Sequence, residues 1–176
     1  MLSGDNNGLA IVFKSEDKIR RTLSWEELNS QVATLAKFLK EHGIVKGDRI
    51  AAYMPNMPET VVMMLASSSL GAIFSSASPD FGVDGVLDRF GQIEPKILIT
   101  TDGYWYNGKE VKIDDKVLNV VKGLSSIQKV VIAPLLGSKT NFDNKNFISY
   151  REIQNKYFTT EISFQPLGLD EPLYIM

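Results

Sequence analysis

Helical and strand-like apolar patterns take turns along this chain, and that alternation restricts it to one broad architecture. Ser24-Trp25-Glu26-Glu27 has the form of a capping box, in which the Ser24 hydroxyl accepts from the Glu27 amide and the Glu27 carboxylate reaches back. Behind it Trp25, Leu28, Val32, Leu35, Ala36 and Leu39 are spaced mostly by three or four until Gly43 permits a left-handed stop, so the spacing predicts a helix with one buried face. Residues 49–54 (RIAAYM) are short and largely apolar, as a strand covered on both faces should be. Asn56 and Pro58 open a second helix, with Glu59 near the positive end of its dipole, and it runs to about Leu70 before Gly71 ends it. Residues 72–77 (AIFSSA) read as a strand and 78–82 (SPDFG) as the loop at its C-terminal end. The unit then repeats: Val83, Val86, Leu87, Phe90 and Ile93 keep a helical spacing, Pro95 stops the helix, and 96–100 (KILIT) is a further buried strand. Residues 115–124 are helical by pattern and 129–133 (KVVIA) strand-like.

Strands alternating with helices through short turns predict an α/β fold of three layers, a mainly parallel sheet with helices on both faces. The expected organisation is one α/β subdomain over 1–176, with 137–169 a variable, loop-rich segment in which 138–146 is polar enough to be exposed. Ligands of such sheets bind beyond the C-terminal strand ends where the connections reverse, which points to the loops after Met54, Ala77 and Thr101. The most apolar run, 61–74, contains Ser67, Ser68, Ser69 and Gly71 and is shorter than the ~18 residues a bilayer-spanning helix needs. It reads as a buried helix entering a buried strand.

Composition removes several function classes. With 44% hydrophobic and 23% charged residues over a length of 176, the chain can build a core, which argues against disorder and fibrous repeats. Nineteen Lys and Arg against 21 Asp and Glu give a net charge of −2, with no electrostatic footprint for a nucleic acid or an anionic membrane. The absence of cysteine excludes disulfides, thiolate metal sites and a thiol nucleophile. Together with a start that lacks a basic region followed by an apolar stretch, it makes the cytoplasm the expected location.

Generic catalytic motifs are missing. Gly137-Ser138-Lys139-Thr140 has the look of a phosphate loop, yet position 132, where the first glycine belongs, is Ile, and no Gly-x-Gly-x-x-Gly follows a strand. Asp80, Asp84 and Asp88 recur every fourth residue and read as a solvated acidic face near a helix start rather than a metal site. His42, the only histidine, falls in the last turn of the first helix, where it complements the dipole. Tyr104-Trp105-Tyr106 reads as a loop after a strand, covering a core edge or stacking on a flat ligand.

Longer stretches carry a resemblance. Residues 22–28 (TLSWEEL), 47–51 (GDRIA) and 54–59 (MPNMPE) resemble the start of the acyl-CoA synthetases that form acyl-adenylates. More specific is 71–90 (GAIFSSASPDFGVDGVLDRF) followed by 92–96 (QIEPK), which resembles the acetoacetyl-CoA synthetase branch, where acetyl-CoA synthetases carry a Phe-Gly-Gly-Phe loop instead. Residues 106–110 (YNGKE), 121–124 (VKGL) and 172–176 (PLYIM) are similar to that branch too, and the likeness weakens over 137–169.

The resemblance implies a ligase that joins acetoacetate to ATP with release of diphosphate, Mg²⁺ accompanying the phosphates, after which the CoA thiol displaces AMP from the mixed anhydride. It implies that Ser78, Pro79 and Asp80 lie along the pantetheine channel and that Lys109 stands near the CoA nucleotide phosphates, where the bland alternative is a solvated loop lysine. For Arg89 a CoA contact competes with an ion pair to Asp88 or Glu94, and the ion pair is the expectation. The family's Ser/Thr/Gly-rich phosphate loop follows the segment matching 172–176 and is not found within these residues, nor are the acyl pocket and the lysine of the mobile C-terminal domain. The expectation is therefore an N-terminal piece of such a ligase, without catalytic residues or metal ligands, silent by itself and binding CoA weakly. The alternatives are a piece of an acetate or propionate enzyme, or a non-catalytic binding module. Apolar surface left exposed in such a piece would drive self-association.

Overall fold

The computed structural model describes residues 2–138 and 145–176. Residues 139–144, which include part of the Gly137-Ser138-Lys139-Thr140 run and of the polar 138–146 loop, lie outside the described residues. In chain order the elements are β1 (Leu9–Ser15), β2 (Ile19–Ser24), α1 (Trp25–Glu41), β3 (Arg49–Tyr53), α2 (Pro58–Ser69), β4 (Ile73–Ala77), α3 (Val83–Ile93), β5 (Ile97–Thr100), β6 (Gly103–Tyr106), β7 (Lys109–Lys112), α4 (Asp114–Gly123), β8 (Lys129–Ile132), β9 (Phe147–Ser149), α5 (Tyr150–Lys156) and β10 (Tyr174–Ile175). The 137–169 segment thus carries a strand and a helix of its own.

The capping box forms as read: the Glu27 amide donates to Ser24 Oγ at 3.1 Å and the Ser24 amide to Glu27 Oε2 at 2.7 Å. His42 is the C-cap of α1, its Nδ1 2.8 Å from the Phe38 carbonyl and its ring packed on Phe38. In α2, Pro58 opens the helix, and Glu59 receives both arms of the Arg21 guanidinium at 2.8 and 3.0 Å.

Six strands join in the order β10-β4-β3-β5-β8-β9, every pairing parallel. Side chains of successive strand residues face opposite ways, so Ile50, Ala52, Ile97 and Ile99 enter one core with α1, α2 and α5, while Ala51, Tyr53 and Leu98 enter a second with α3 and α4. Three layers result, as the alternation of patterns predicts. Counted along the chain from β3, the order β4-β3-β5-β8-β9 is 2-1-3-4-5, and the winding reverses between β3 and β5. At that reversal the helix after β3 (α2) and the helix that follows β5 and its hairpin (α4) pack on opposite faces, opening a crevice at the C-terminal strand ends.

Two antiparallel hairpins, β1–β2 and β6–β7, stand outside the main sheet. The second corrects the reading of Tyr104-Trp105-Tyr106 as a loop: these residues are strand β6. Asn107 and Gly108, at φ 50° and 74°, make the two-residue turn with both central residues left-handed that Asn-Gly favours.

Candidate functional site

A cleft of about 240 Å³ opens at the C-terminal ends of β3 and β4, bounded by Met54, Pro55 and Asn56 after β3, by Ser76 to Asp80 at and after β4, and by Tyr104 and Tyr106 of the hairpin. Ser78, Pro79 and Asp80 therefore meet in one wall, and the cleft is bounded by the connections after Met54, Ala77 and Thr101, all three singled out by the switch-point rule. Residues 78–81 are not a slack loop. Tyr53 from β3 donates its hydroxyl to the Phe81 carbonyl at 2.7 Å, Lys116 from α4 donates to the Pro79 carbonyl at 3.0 Å, and Tyr104 donates to Asp80 Oδ1 at 2.6 Å. Ser78 Oγ closes the set by donating to the other Asp80 oxygen at 2.9 Å. The loop is pinned from three elements, which holds the cleft shape before any ligand arrives.

These contacts set the titration of the wall. The Tyr104 hydroxyl, then that of Ser78, hold the Asp80 carboxyl below the usual carboxylate range. Tyr104 itself is pushed up to about 12, by burial first and then by its hydrogen bond to Asp80. Burial, with the Asp80 charge second, also raises Tyr53. The signs give a window. A raised phenol contributes stability that is full below its unfolded value near ~10 and is lost as pH rises through about 12, whereas a lowered carboxyl contributes above ~4 and is lost as pH falls through its folded value. Replacing Tyr104 with Phe should therefore lower stability by about 1 kcal/mol at neutral pH. That gap to the parent should close between roughly pH 10 and 12 in chemical denaturation; a gap unchanged at pH 12 would show that Tyr104 ionises no later in the folded chain than in the unfolded one.

Lys109 is exposed and does not line the cleft, and among the described residues it makes no ion pair. Its register is informative nonetheless. Lys109 pairs with Tyr106 and Val111 with Tyr104, and residues directly opposite on an antiparallel pair share a face. Lys109 thus stands on the hairpin face that carries the two cleft tyrosines, next to Tyr106, which is 66% exposed. Arg89 departs from expectation: its guanidinium lies over the Phe81 ring at 4.6 Å, and among the described residues no ion pair to Asp88 or Glu94 forms; the exposed ring eight residues back, just ahead of α3, is a flat partner suited to a delocalised cation. Asp80, held by Tyr104 ahead of α3, is not part of an acidic helix face with Asp84 and Asp88.

Sequence reasoning passed over Tyr53, Lys116 and the hairpin geometry. Asn107-Gly108 was a usable hairpin signal; nothing local marks Tyr53 or Lys116, whose partners lie 28 and 37 residues away. Among the described residues no group of three or more His, Asp or Glu side chains converges to hold a metal, so a donor set for Mg²⁺ is not found among them. No helix among them is long and apolar enough to cross a membrane.

Comparison with known proteins accords with this arrangement. The chain is 44% identical to the acetoacetyl-coenzyme A synthetase of Rhizobium meliloti (strain 1021), over 100% of its own length and 27% of that protein's, and 38% identical to the acetoacetyl-CoA synthetase of Macaca fascicularis, over 98% and 26%. A solved acetoacetyl-CoA synthetase from Streptomyces lividans superposes with a TM-score of 0.85 at 35% identity, over 93% of this chain and 24% of that one. The chain thus spans about a quarter of the length of the relatives it matches. The model of the AMP-binding enzyme family matches residues 5–176, almost the whole of these 176, and with the parallel sheet and the pinned 78–81 wall already described, this chain belongs to the AMP-binding enzymes.

Proposed function

We propose that this chain forms the CoA-side wall of an acid–thiol ligase that makes acetoacetyl-CoA from acetoacetate, ATP and CoA. In that reaction the carboxylate attacks the α-phosphate of ATP and expels diphosphate, and the CoA thiol then displaces AMP from the acyl-adenylate. The residues in hand carry neither bond-making step. Their part is to present a fixed channel wall, Ser78 to Phe81, beside a cation, Lys109, on the rim.

The observation that carries this reading is the β6–β7 register, which puts Lys109 on the hairpin face that also carries the cleft-lining Tyr104 and Tyr106. A flexible ammonium at the rim suits the nucleotide phosphates of CoA, while a narrow cleft lined by Ser78, Pro79 and Tyr104 suits the pantetheine arm. Acetoacetate is favoured over acetate or propionate by the Ser78-Pro79-Asp80-Phe81-Gly82 loop and by the names of the relatives.

Calorimetric titration tests the reading. CoA should bind the parent chain, and Lys109→Ala should weaken it about tenfold at low salt, the loss of one charge-assisted phosphate contact. Pantetheine, which lacks the nucleotide, should bind both forms equally. Equal CoA affinity for parent and Lys109→Ala would remove the phosphate role.

A further inference from the structure

The hairpin that carries Lys109 belongs to a two-stranded sheet separate from the main one, and an isolated two-stranded ribbon is marginally stable in water. Something must hold its tip. The contact comes from the far end of the sequence: Glu16, in the β1–β2 turn, accepts a hydrogen bond at 2.8 Å from the Gly108 amide through its Oε2. Gly108 is the second turn residue, directly before Lys109, and its amide lies outside the β6–β7 pairing. Glu16 reaches it from a left-handed backbone conformation of its own, φ 49°. A second contact joins the same two hairpins, with Lys18 Nζ over the Trp105 ring at 5.6 Å. The tip is therefore gripped on its turn and on the strand face opposite to Tyr104 and Tyr106.

We propose that Glu16 is a positioning residue for the ligand rim: by holding the Gly108 amide it fixes the turn from which Lys109 and Tyr106 project. The proposal rests on the reading of this rim as a CoA phosphate site and adds to it a residue remote in sequence. Its sign is distinctive. A carboxylate this close to a phosphate site repels the ligand, so if Glu16 acted through its charge alone, removing it would tighten CoA binding. A positioning role requires the opposite.

The experiment uses CoA as the probe and compares parent, Glu16→Ala, Glu16→Gln and Lys109→Ala by calorimetry, with amide hydrogen exchange at Gly108 read alongside. The expected result is CoA affinity about 3- to 10-fold weaker in Glu16→Ala, the scale of one ordinary, solvent-exposed hydrogen bond. Glu16→Gln keeps an acceptor oxygen and sheds the charge, so it should bind at least as tightly as the parent. Gly108 should exchange faster in Glu16→Ala only. Should Glu16→Ala bind CoA as well as the parent or better while Lys109→Ala binds weakly, the positioning role is overturned and the CoA reading stands. Unaltered affinity in Lys109→Ala overturns the CoA reading, and the inference with it. Unchanged Gly108 exchange in Glu16→Ala refutes the grip directly.

Discussion

Asp102→Ala is expected to cost about 3–4 kcal/mol of folding stability, read as a lower urea midpoint with an unchanged slope. Asp102 follows β5 and is fully buried, and its carboxylate accepts from the backbone amides of Leu135 at 2.6 Å, Leu136 at 3.0 Å and Ser138 at 2.8 Å. Successive amides turned toward one anion form a nest, and here the anion is a side chain instead of a ligand. Alanine strips all three amides of their partner in a place where the Leu135 amide is buried and water cannot replace it, and each such orphaned group costs roughly 1–3 kcal/mol, the larger values applying when burial is complete. Asp102→Asn should lose about half as much, because its one carbonyl oxygen can still accept while its amide nitrogen confronts a donor. An unfolding free energy within about 1 kcal/mol of the parent for the alanine variant would mean that the loop after β8 folds without this anchor.

The second large effect belongs to the next residue. Gly103 starts β6 with φ 152°, and a Cβ there would stand 2.5 Å from the Val111 carbonyl oxygen and 2.6 Å from Leu136 Cδ1. The first neighbour is ladder backbone in the middle of the β6–β7 pairing, so it can yield only by displacing the hairpin. Gly103→Ala should lower stability by about 2–4 kcal/mol, the range for overpacking at a site that cannot relax. It should also loosen the site, because moving β6 carries Tyr104 off Asp80 and Tyr106 off the cleft. Near-ultraviolet dichroism from the tyrosines and Trp105 would report that movement. Gly82→Ala serves as the control: nothing lies within 4 Å of its Cβ and its φ is ordinary, so a loss below about 1 kcal/mol is expected. Equal losses at 82 and 103 would show that steric closeness at β6 is not the cause.

How much of this was legible beforehand follows from the range of each interaction. α1 announces itself by its apolar spacing and capping box, α2 by Pro58 at its start and Gly71 after its end, and α3 by its apolar spacing, all within a few neighbouring residues; β3, β4, β5 and β8 do so because strands buried on both faces are short apolar runs. The β1–β2 hairpin has no such local mark, since 9–13 is apolar throughout and its burial depends on whether α1 covers it. In the same way Tyr104-Trp105-Tyr106 carries no alternation that separates strand from loop. The Arg89 ion pair failed for a geometric reason: sequence neighbours suggested carboxylates, while the fold offered the face of Phe81.

For the site the division is sharper. Ser78, Pro79, Asp80 and Lys109 could be picked out by resemblance, but their mutual placement could not. What the amino-acid order determined by itself was the alternation of periods, hence the layered parallel sheet, and the strand ends at which the cleft opens. What only the tertiary structure decided was the order of the strands and, through it, which distant side chains meet: Tyr53 and Tyr104 on the 78–81 loop, Asp102 on the loop after β8, Glu16 on Gly108. The physical reason is that periodicity is a local property of a few turns or strand residues, whereas a hydrogen bond between residues tens of positions apart exists only after the sheet has closed the chain between them.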